Sequence, residues 1–302
     1  MSAASSIGFI GIGAMGAPMA LRLLQAGHRV VVPARSKQAA RLIDAGAVGA
    51  ADAEAIASEA DTVLVCLPTP DVVEAVAEEI ARGRSVRRYV DLSTTGPTVA
   101  VRVAQRLGER GIQCLDAPVS GGVQGAVAGT LAIMAAGARE TFEALAPLLS
   151  AMGQNVFHVG PDVGQGQAVK LANNMMSASA MMAAAEGLAL CVRAGVDPAL
   201  ALQAINAGSG RSVATERAFP AAVLSGTYQV GFRLALMHKD VRLCLQEARA
   251  LNVPMWQAAT LGQMYDFAMS QGMGEGDVTT MVKMVAQWAH VDFAARAAAP
   301  GA

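Results

Sequence analysis

The chain has 302 residues, 53% apolar and 16% charged, and its 23 basic and 24 acidic side chains leave a formal net charge of −1. A chain this apolar buries enough surface to offset its ordering entropy, which excludes disorder. The balanced charge excludes the clustered basic surface that nucleic acid needs.

The four cysteines, Cys66, Cys114, Cys191 and Cys244, form no CxxC pair. Neither a zinc site nor a disulfide framework is expected, and a reducing, cytoplasmic setting suits them. The N-terminal MSAASS stretch has no basic region, so no signal peptide is expected.

In chain order, short apolar runs alternate with helical stretches. Ile7–Ile10, Val30–Val32, Thr62–Leu67, Tyr89–Asp91 and Ile112–Leu115 read as strands, joined by helices over Ala14–Gln25, Gln38–Asp44, Pro70–Arg82 and Pro97–Glu109. Strands that are apolar almost throughout belong to a parallel sheet covered on both faces, and the alternation predicts a doubly wound α/β domain. Leu131–Ala135 and Val156–His158 read as further strands around a helix over Glu140–Met152.

A breaker-rich loop, Gly160–Gly164, then changes the pattern. Gln165–Ala194 predicts one helix of roughly 45 Å, closed by Gly195. It is apolar enough to raise the question of a membrane, but Glu186 lies inside it and Lys170 and Arg193 flank its core, so a buried helix of a soluble protein is expected. Helices over Pro198–Asn206, Ala235–Leu251, Met255–Gln271 and Asp277–Ala289 follow, and the Ala-rich tail, Ala294–Ala302, is expected to fray. The expected fold is therefore an N-terminal Rossmann domain with a doubly wound parallel sheet, residues 1–163, and an all-helical C-terminal domain, residues 164–302.

The clearest local motif is Gly11-Ile12-Gly13-Ala14-Met15-Gly16, directly after a strand and opening a helix. Gly11 permits the tight turn, Gly13 lets a pyrophosphate reach the backbone, and Gly16 lets the helix pack on the strand, with the first helical N–H groups aimed at phosphate. NAD-type domains end the second strand on a carboxylate; here Val30–Val32 runs into Pro33-Ala34-Arg35-Ser36-Lys37. Two cations and a hydroxyl suit a 2′-phosphate, so NADP(H) is expected, with NAD(H) as the alternative. Leu67-Pro68 and Ser93-Thr94-Thr95 follow strands at their carboxyl ends, where ligands of open α/β sheets bind.

Three other stretches carry chemistry-bearing residues. Ser120-Gly121-Gly122 supplies a hydroxyl and unshielded N–H groups that suit an anion such as a carboxylate, or else forms a plain glycine loop. Lys170 and Asn174 share one face of the long helix, with Asn173 beside them. A lysine held out of water exchanges its proton nearer neutrality, and an amide holds a substrate oxygen without adding charge; a snorkelling lysine and a satisfied core amide would give the same spacing. Lys239-Asp240 reads either as a cation steadied by its neighbour or as a surface ion pair. The four histidines show no metal-ligand spacing, and no metal is expected.

Taken together these stretches resemble the β-hydroxyacid dehydrogenase family, which includes 3-hydroxyisobutyrate dehydrogenase and tartronate semialdehyde reductase and has a 6-phosphogluconate dehydrogenase-like cofactor domain. The matching segments are Gly8–Gly16 with Met19-Ala20, Asp116–Gly122 with Gly125 and Gly129–Leu131, Gly164–Gly166, Lys170–Asn174 and Lys239-Asp240, in the family's order. The resemblance implies a site in the cleft between the two domains. It makes Lys170 the general acid/base and Asn174 a catalytic, substrate-orienting amide with Asn173 adjacent. Ser120, Gly121 and Gly122 would bind the substrate carboxylate. Cofactor contacts would come from Gly11, Gly13, Ala14, Met15 and Gly16, from Arg35 and Ser36, and from Leu67, Pro68, Thr94 and Lys239. Arg211 would meet a substrate anion.

The chain departs from the family pattern at Pro33-Ala34, which replaces the usual aromatic and Asn before Arg35. The implied activity is an NADP(H)-dependent interconversion of a short β-hydroxy acid and its semialdehyde or keto form, in a cytoplasmic homodimer or homotetramer. An imine reductase-like NADPH enzyme usually has another residue where Lys170 stands. A non-catalytic dinucleotide-binding protein would need the Lys-Asn pair to be vestigial.

Overall fold

The structure is a computed structural model and describes residues 6–294. The expectations for the N-terminal stretch and the Ala-rich tail fall largely on residues 1–5 and 295–302, outside the described residues. The chain divides into two compact units at Leu171/Ala172.

The first unit runs β1 (Ser6–Ile10), α1 (Gly16–Gln25), β2 (Arg29–Pro33), α2 (Lys37–Asp44), β3 (Val48–Ala50), α3 (Ala53–Glu59), β4 (Thr62–Val65), α4 (Pro70–Ile80), β5 (Arg88–Asp91) and α5 (Pro97–Gly108). It continues with β6 (Gln113–Asp116), β7 (Val119–Ser120), α6 (Gly122–Ala128), β8 (Ala132–Ala136), α7 (Arg139–Ser150) and β9 (Asn155–Gly160). Its nine-stranded sheet has the order β3-β2-β1-β4-β5-β6-β8-β7, with β9 on β8. The first six strands pair in parallel, whereas β8 runs antiparallel to β6 and β7. The strand order reverses at β1/β4, the switch point where such sheets hold their ligands.

Side chains of a strand alternate between faces, and here both faces are apolar. Phe9, Val30, Val32, Leu64 and Val90 join α1, α2 and α7 in one core. Ile10, Val31, Val63, Val65 and Tyr89 join α3, α4 and α5 in the other. That double burial is why the strands read as continuous apolar runs.

Two stretches of this unit, holding four elements, differ from expectation. The β3–α3 pair was not expected, because Val48-Gly49-Ala50 is too short and small to stand out. Ser120-Gly121-Gly122 is the end of β7 and the start of α6, with Gly121 and Gly122 both at positive φ, 134° and 65°.

The long helix α8 (Gln165–Arg193) crosses the division between the units. The second unit continues with α9 (Pro198–Ala207), a wide-turn π-helix over Ala214–Val223, α10 (Leu234–Ala250), α11 (Trp256–Ser270), a 3₁₀ turn over Met273–Glu275 and α12 (Thr280–Ala289). Met181, Met182, Ala185 and Leu188 of α8 pack with Phe219, Leu234, Val241, Tyr265, Met281 and Val285 in its core. Pro220 inside the π-helix hid that segment from the sequence reading. By length and composition α8 is long and apolar enough to cross a membrane, and its buried positions include the polar Gln167, Lys170 and Asn174.

Candidate active site

In the first unit the glycine motif turns sharply from β1 into α1. Gly11 has φ +92°, and a Cβ there would strike the backbone carbonyl of Cys66 at the end of β4. A Cβ on Gly16 would strike the Gly11 carbonyl and the Phe9 ring. Gly13 differs from both. It is exposed, and among the described residues no heavy atom lies within 4 Å of where its Cβ would stand. Among the described residues no side chain caps α1, and its first turn has no acidic residue. An open glycine and an uncapped helix start at the switch point fit the pyrophosphate of a dinucleotide.

Arg35, Ser36 and Lys37 follow β2 and are exposed. The Ser36 hydroxyl accepts a hydrogen bond from the Ala39 N–H at 3.0 Å, so it caps α2 while its O–H stays available to donate to a phosphate oxygen.

The loops after β4 and β5 are tied to each other. Leu67 N–H donates to Ser93 Oγ at 2.8 Å, and Ser93 N–H donates to Asp91 Oδ1 at 2.8 Å. This sets Leu67 and Thr94 on neighbouring strand ends, with Thr94 half-buried and Pro68 exposed. Burial pushes the Cys66 thiol up to about 12, with the Asp91 charge adding to it, so Cys66 stays a thiol and is no nucleophile.

The start of α8 is fixed by a remote carboxylate. Asp116, the last residue of β6, accepts from Gly164 N–H and from Gln167 N–H, each at 2.7 Å. The Gly166 Cβ position is blocked by the Met134 carbonyl and Asp116, so only glycine lets the helix start this close to the sheet. Burial pushes the Asp116 carboxyl up to about 7; the two amides pull the other way, and Asp91, its register partner on β5, adds to the rise. One turn on, Lys170 is 8% exposed, far too buried for a snorkelling side chain. Ser120 is half-buried, and Gly121 and Gly122 are exposed.

In the second unit the polar side chains pair with one another. Asn173 Nδ2 donates to Asn174 Oδ1 at 3.0 Å, and Asn174 Nδ2 donates to Asp240 Oδ2 at 2.6 Å. A carboxylate only accepts, so this contact fixes which end of the Asn174 amide faces Asp240. The other Asp240 oxygen lies 2.8 Å from Lys239 Nζ. Asp240 is 3% exposed, so this is not a surface ion pair. Arg211 is exposed and lies 3.6 Å from Glu216. Among the described residues no His, Cys, Asp and Glu group is arranged to hold a metal.

The sequence gives no role to Gln167 and none to the Asp116 carboxylate; it places Ser93 in a ligand-side loop and Asp240 beside Lys239, where the ion pair is found, but not the bonds from Ser93 to Leu67 or from Asp240 to Asn174. Asp91 and Asp116 both end strands, and Gln167 is a polar residue in the first turn of an apolar helix; those positions were the available signals.

Two family models cover most of the chain. The NAD-binding domain of 6-phosphogluconate dehydrogenase matches residues 6–160, and the NAD-binding domain of NADP-dependent 3-hydroxyisobutyrate dehydrogenase matches residues 164–285. The chain is 40% identical to 3-hydroxyisobutyrate dehydrogenase of Pseudomonas aeruginosa over 82% of its length and 87% of that protein. It is 35% identical to 2-(hydroxymethyl)glutarate dehydrogenase of Eubacterium barkeri over 94% of its length and 96% of that protein. A solved 3-hydroxyisobutyrate dehydrogenase of Mycobacterium tuberculosis, with L-serine, superposes with a TM-score of 0.84 at 31% identity, covering 93% of this chain and 99% of that one. By these two family models and these relatives, the chain belongs to the β-hydroxyacid dehydrogenase family of NAD(P)-dependent oxidoreductases.

Proposed function

We propose that the protein interconverts a short β-hydroxy acid and its semialdehyde or keto form with NADP(H), and that Lys170 is the general acid/base. The observation that carries this reading is the lysine itself: it is buried, and it lies one turn past a helix start bonded to the strand-end loops of the cofactor side. The nicotinamide supplies hydride acceptance and donation when bound. In the reducing direction the Lys170 ammonium gives a proton to the substrate oxygen; in the oxidising direction the neutral amine takes the hydroxyl proton. Asn174 orients the substrate, with Asn173 bracing its amide oxygen. Ser120 and the Gly121 and Gly122 amides hold the carboxylate.

Gly11, Gly13, Ala14, Met15 and Gly16 receive the pyrophosphate, with Leu67, Pro68, Thr94 and Lys239 as further contacts. The preference for NADP(H) rests on Arg35 and Ser36, standing where an NAD-type carboxylate would be. In this reading residues 1–163 hold the cofactor, and residues 164–302 serve substrate and assembly in a soluble, cytoplasmic enzyme.

Assembly as a homodimer or homotetramer is supported by an open groove of about 490 Å³ lined by Leu190, Met264, Val285 and Trp288. Leu190 and Trp288 are well exposed there. Glu186 and Arg193 lie on the same groove two helical turns apart, so their opposite charges are complementary to a second copy related by a two-fold axis.

The test is NADPH and NADH turnover against a panel of short semialdehydes, with oxidation of L-serine, 3-hydroxyisobutyrate, glycerate and threonate. Turnover on at least one hydroxy acid, faster with the phosphorylated cofactor, is expected. Dinucleotide binding with no turnover on any member, or activity on cyclic imines alone, would overturn the reading.

A further inference from the structure

We propose that Gln167 is a positioning residue whose side-chain amide holds the loop Ser93–Gly96, which carries Thr94, in register with the helix turn that carries Lys170. This rests on the reading of Thr94 as a cofactor contact and Lys170 as the proton carrier. Gln167 is fully buried. Its Oε1 accepts from Thr95 N–H at 2.9 Å and from Gly96 N–H at 3.2 Å, and its Nε2 donates to Ser93 O at 2.9 Å. Its own backbone N–H donates to Asp116 Oδ2. One residue thus joins the carboxyl end of β5, the carboxyl end of β6 and the start of α8.

Packing alone does not require this amide, because a methionine has a similar volume and would leave three backbone groups without it. All three of those groups belong to one loop, at the edge of the sheet where ligands bind. Asp91 holds the same loop from the strand side through Ser93 N–H, so the loop is clamped at both ends. Lys170 follows Gln167 by three residues and shares its side of the helix. A shift of the loop therefore displaces the cofactor contact relative to the amine.

Gln167→Met, checked for folding by circular dichroism, is the variant to make. Its Kd for NADPH, followed by tryptophan fluorescence, is expected to rise about tenfold. KM for NADPH should rise with it and kcat should fall, while KM for whichever hydroxy acid of the panel is turned over stays near wild type. A folded variant with wild-type Kd and kcat would overturn the role. Should the variant not fold, hydrogen exchange on the wild-type protein decides. Slow exchange at Thr95 and Gly96 that slows further with NADPH supports the clamp, and exchange indifferent to NADPH overturns it. Wild-type protein that binds neither NADPH nor NADH would instead overturn the underlying functional reading.

Discussion

The candidate-site groups of the two units are anchored in opposite ways, although elsewhere in the second unit Asp277 holds the backbone N–H groups of Val230, Gly231 and Phe232. In the first, side chains bond to backbone: Ser93 to Leu67, Asp116 to Gly164 and Gln167, and Gln167 to Ser93, Thr95 and Gly96. In the second, the chain from Asn173 through Asn174 and Asp240 to Lys239 is made of side chains alone. In the proposed reading, a backbone anchor fixes the loops that receive the dinucleotide. A side-chain relay fixes only the groups it contains, which in the proposed reading are the substrate-orienting amides and Lys239 beside the cofactor, and it can be retuned by single substitutions.

The contrast is sharpest at Asp240. Asp240→Ala leaves the Asn174 amide and the Lys239 ammonium without their carboxylate, and removing one partner of a buried charged pair costs about 3 kcal/mol of stability. With Asn174 no longer oriented, kcat is expected to fall by roughly two orders of magnitude, as for loss of a positioning contact, while NADPH affinity, to which Lys239 is one contact among many, changes far less. Chemical denaturation and steady-state kinetics check both halves. Equal damage to cofactor affinity and to kcat would erase the distinction between the units.

Within the first unit, two glycines of one motif separate folding from binding. Gly16→Ala forces a Cβ into the Gly11 carbonyl and is expected to cost about 3 kcal/mol, read as a lowered Tm. Gly13→Ala meets only open space at a φ outside the positive range, so its stability should stay within about 0.5 kcal/mol of wild type. Its NADPH affinity should nevertheless fall about tenfold, because the methyl occupies the room left for pyrophosphate. Unchanged affinity in Gly13→Ala would break the assignment of that turn.

The smallest effect concerns pH. Asp116 has its carboxyl raised from 3.8 to about 7 in the folded protein, chiefly by burial. The folded chain therefore holds this proton where the unfolded chain has released it, and the stabilisation present in acid is lost as pH rises through about 7. Between pH 5 and pH 7 wild-type stability should fall by about 2 kcal/mol relative to Asp116→Asn, which has no such proton to lose. Parallel pH profiles for the two proteins would contradict this.

Much of this was legible before any coordinates. Double-sided burial makes strands apolar throughout, so all seven expected strands lie within two residues of observed ones, and the helical run from Gln165 stands out by its length alone. Val48–Ala50 was not legible, since three small residues carry no period. The segment Ala214–Val223 was hidden by Pro220, which ordinarily ends a helix. Gly11, Gly13 and Gly16 could be given separate roles because each answers a different backbone demand. Gln167 and Asp116 could not, nor could the bond from Asp240 to Asn174 be foreseen, because those partners lie 48 to 74 residues away in sequence.

The most direct measurement is NADPH affinity and hydroxy-acid turnover compared between wild type and Lys170→Ala. Unchanged NADPH affinity with turnover reduced about a thousandfold is expected for loss of the proton carrier. Turnover at the wild-type rate in that variant would contradict the role of Lys170 outright.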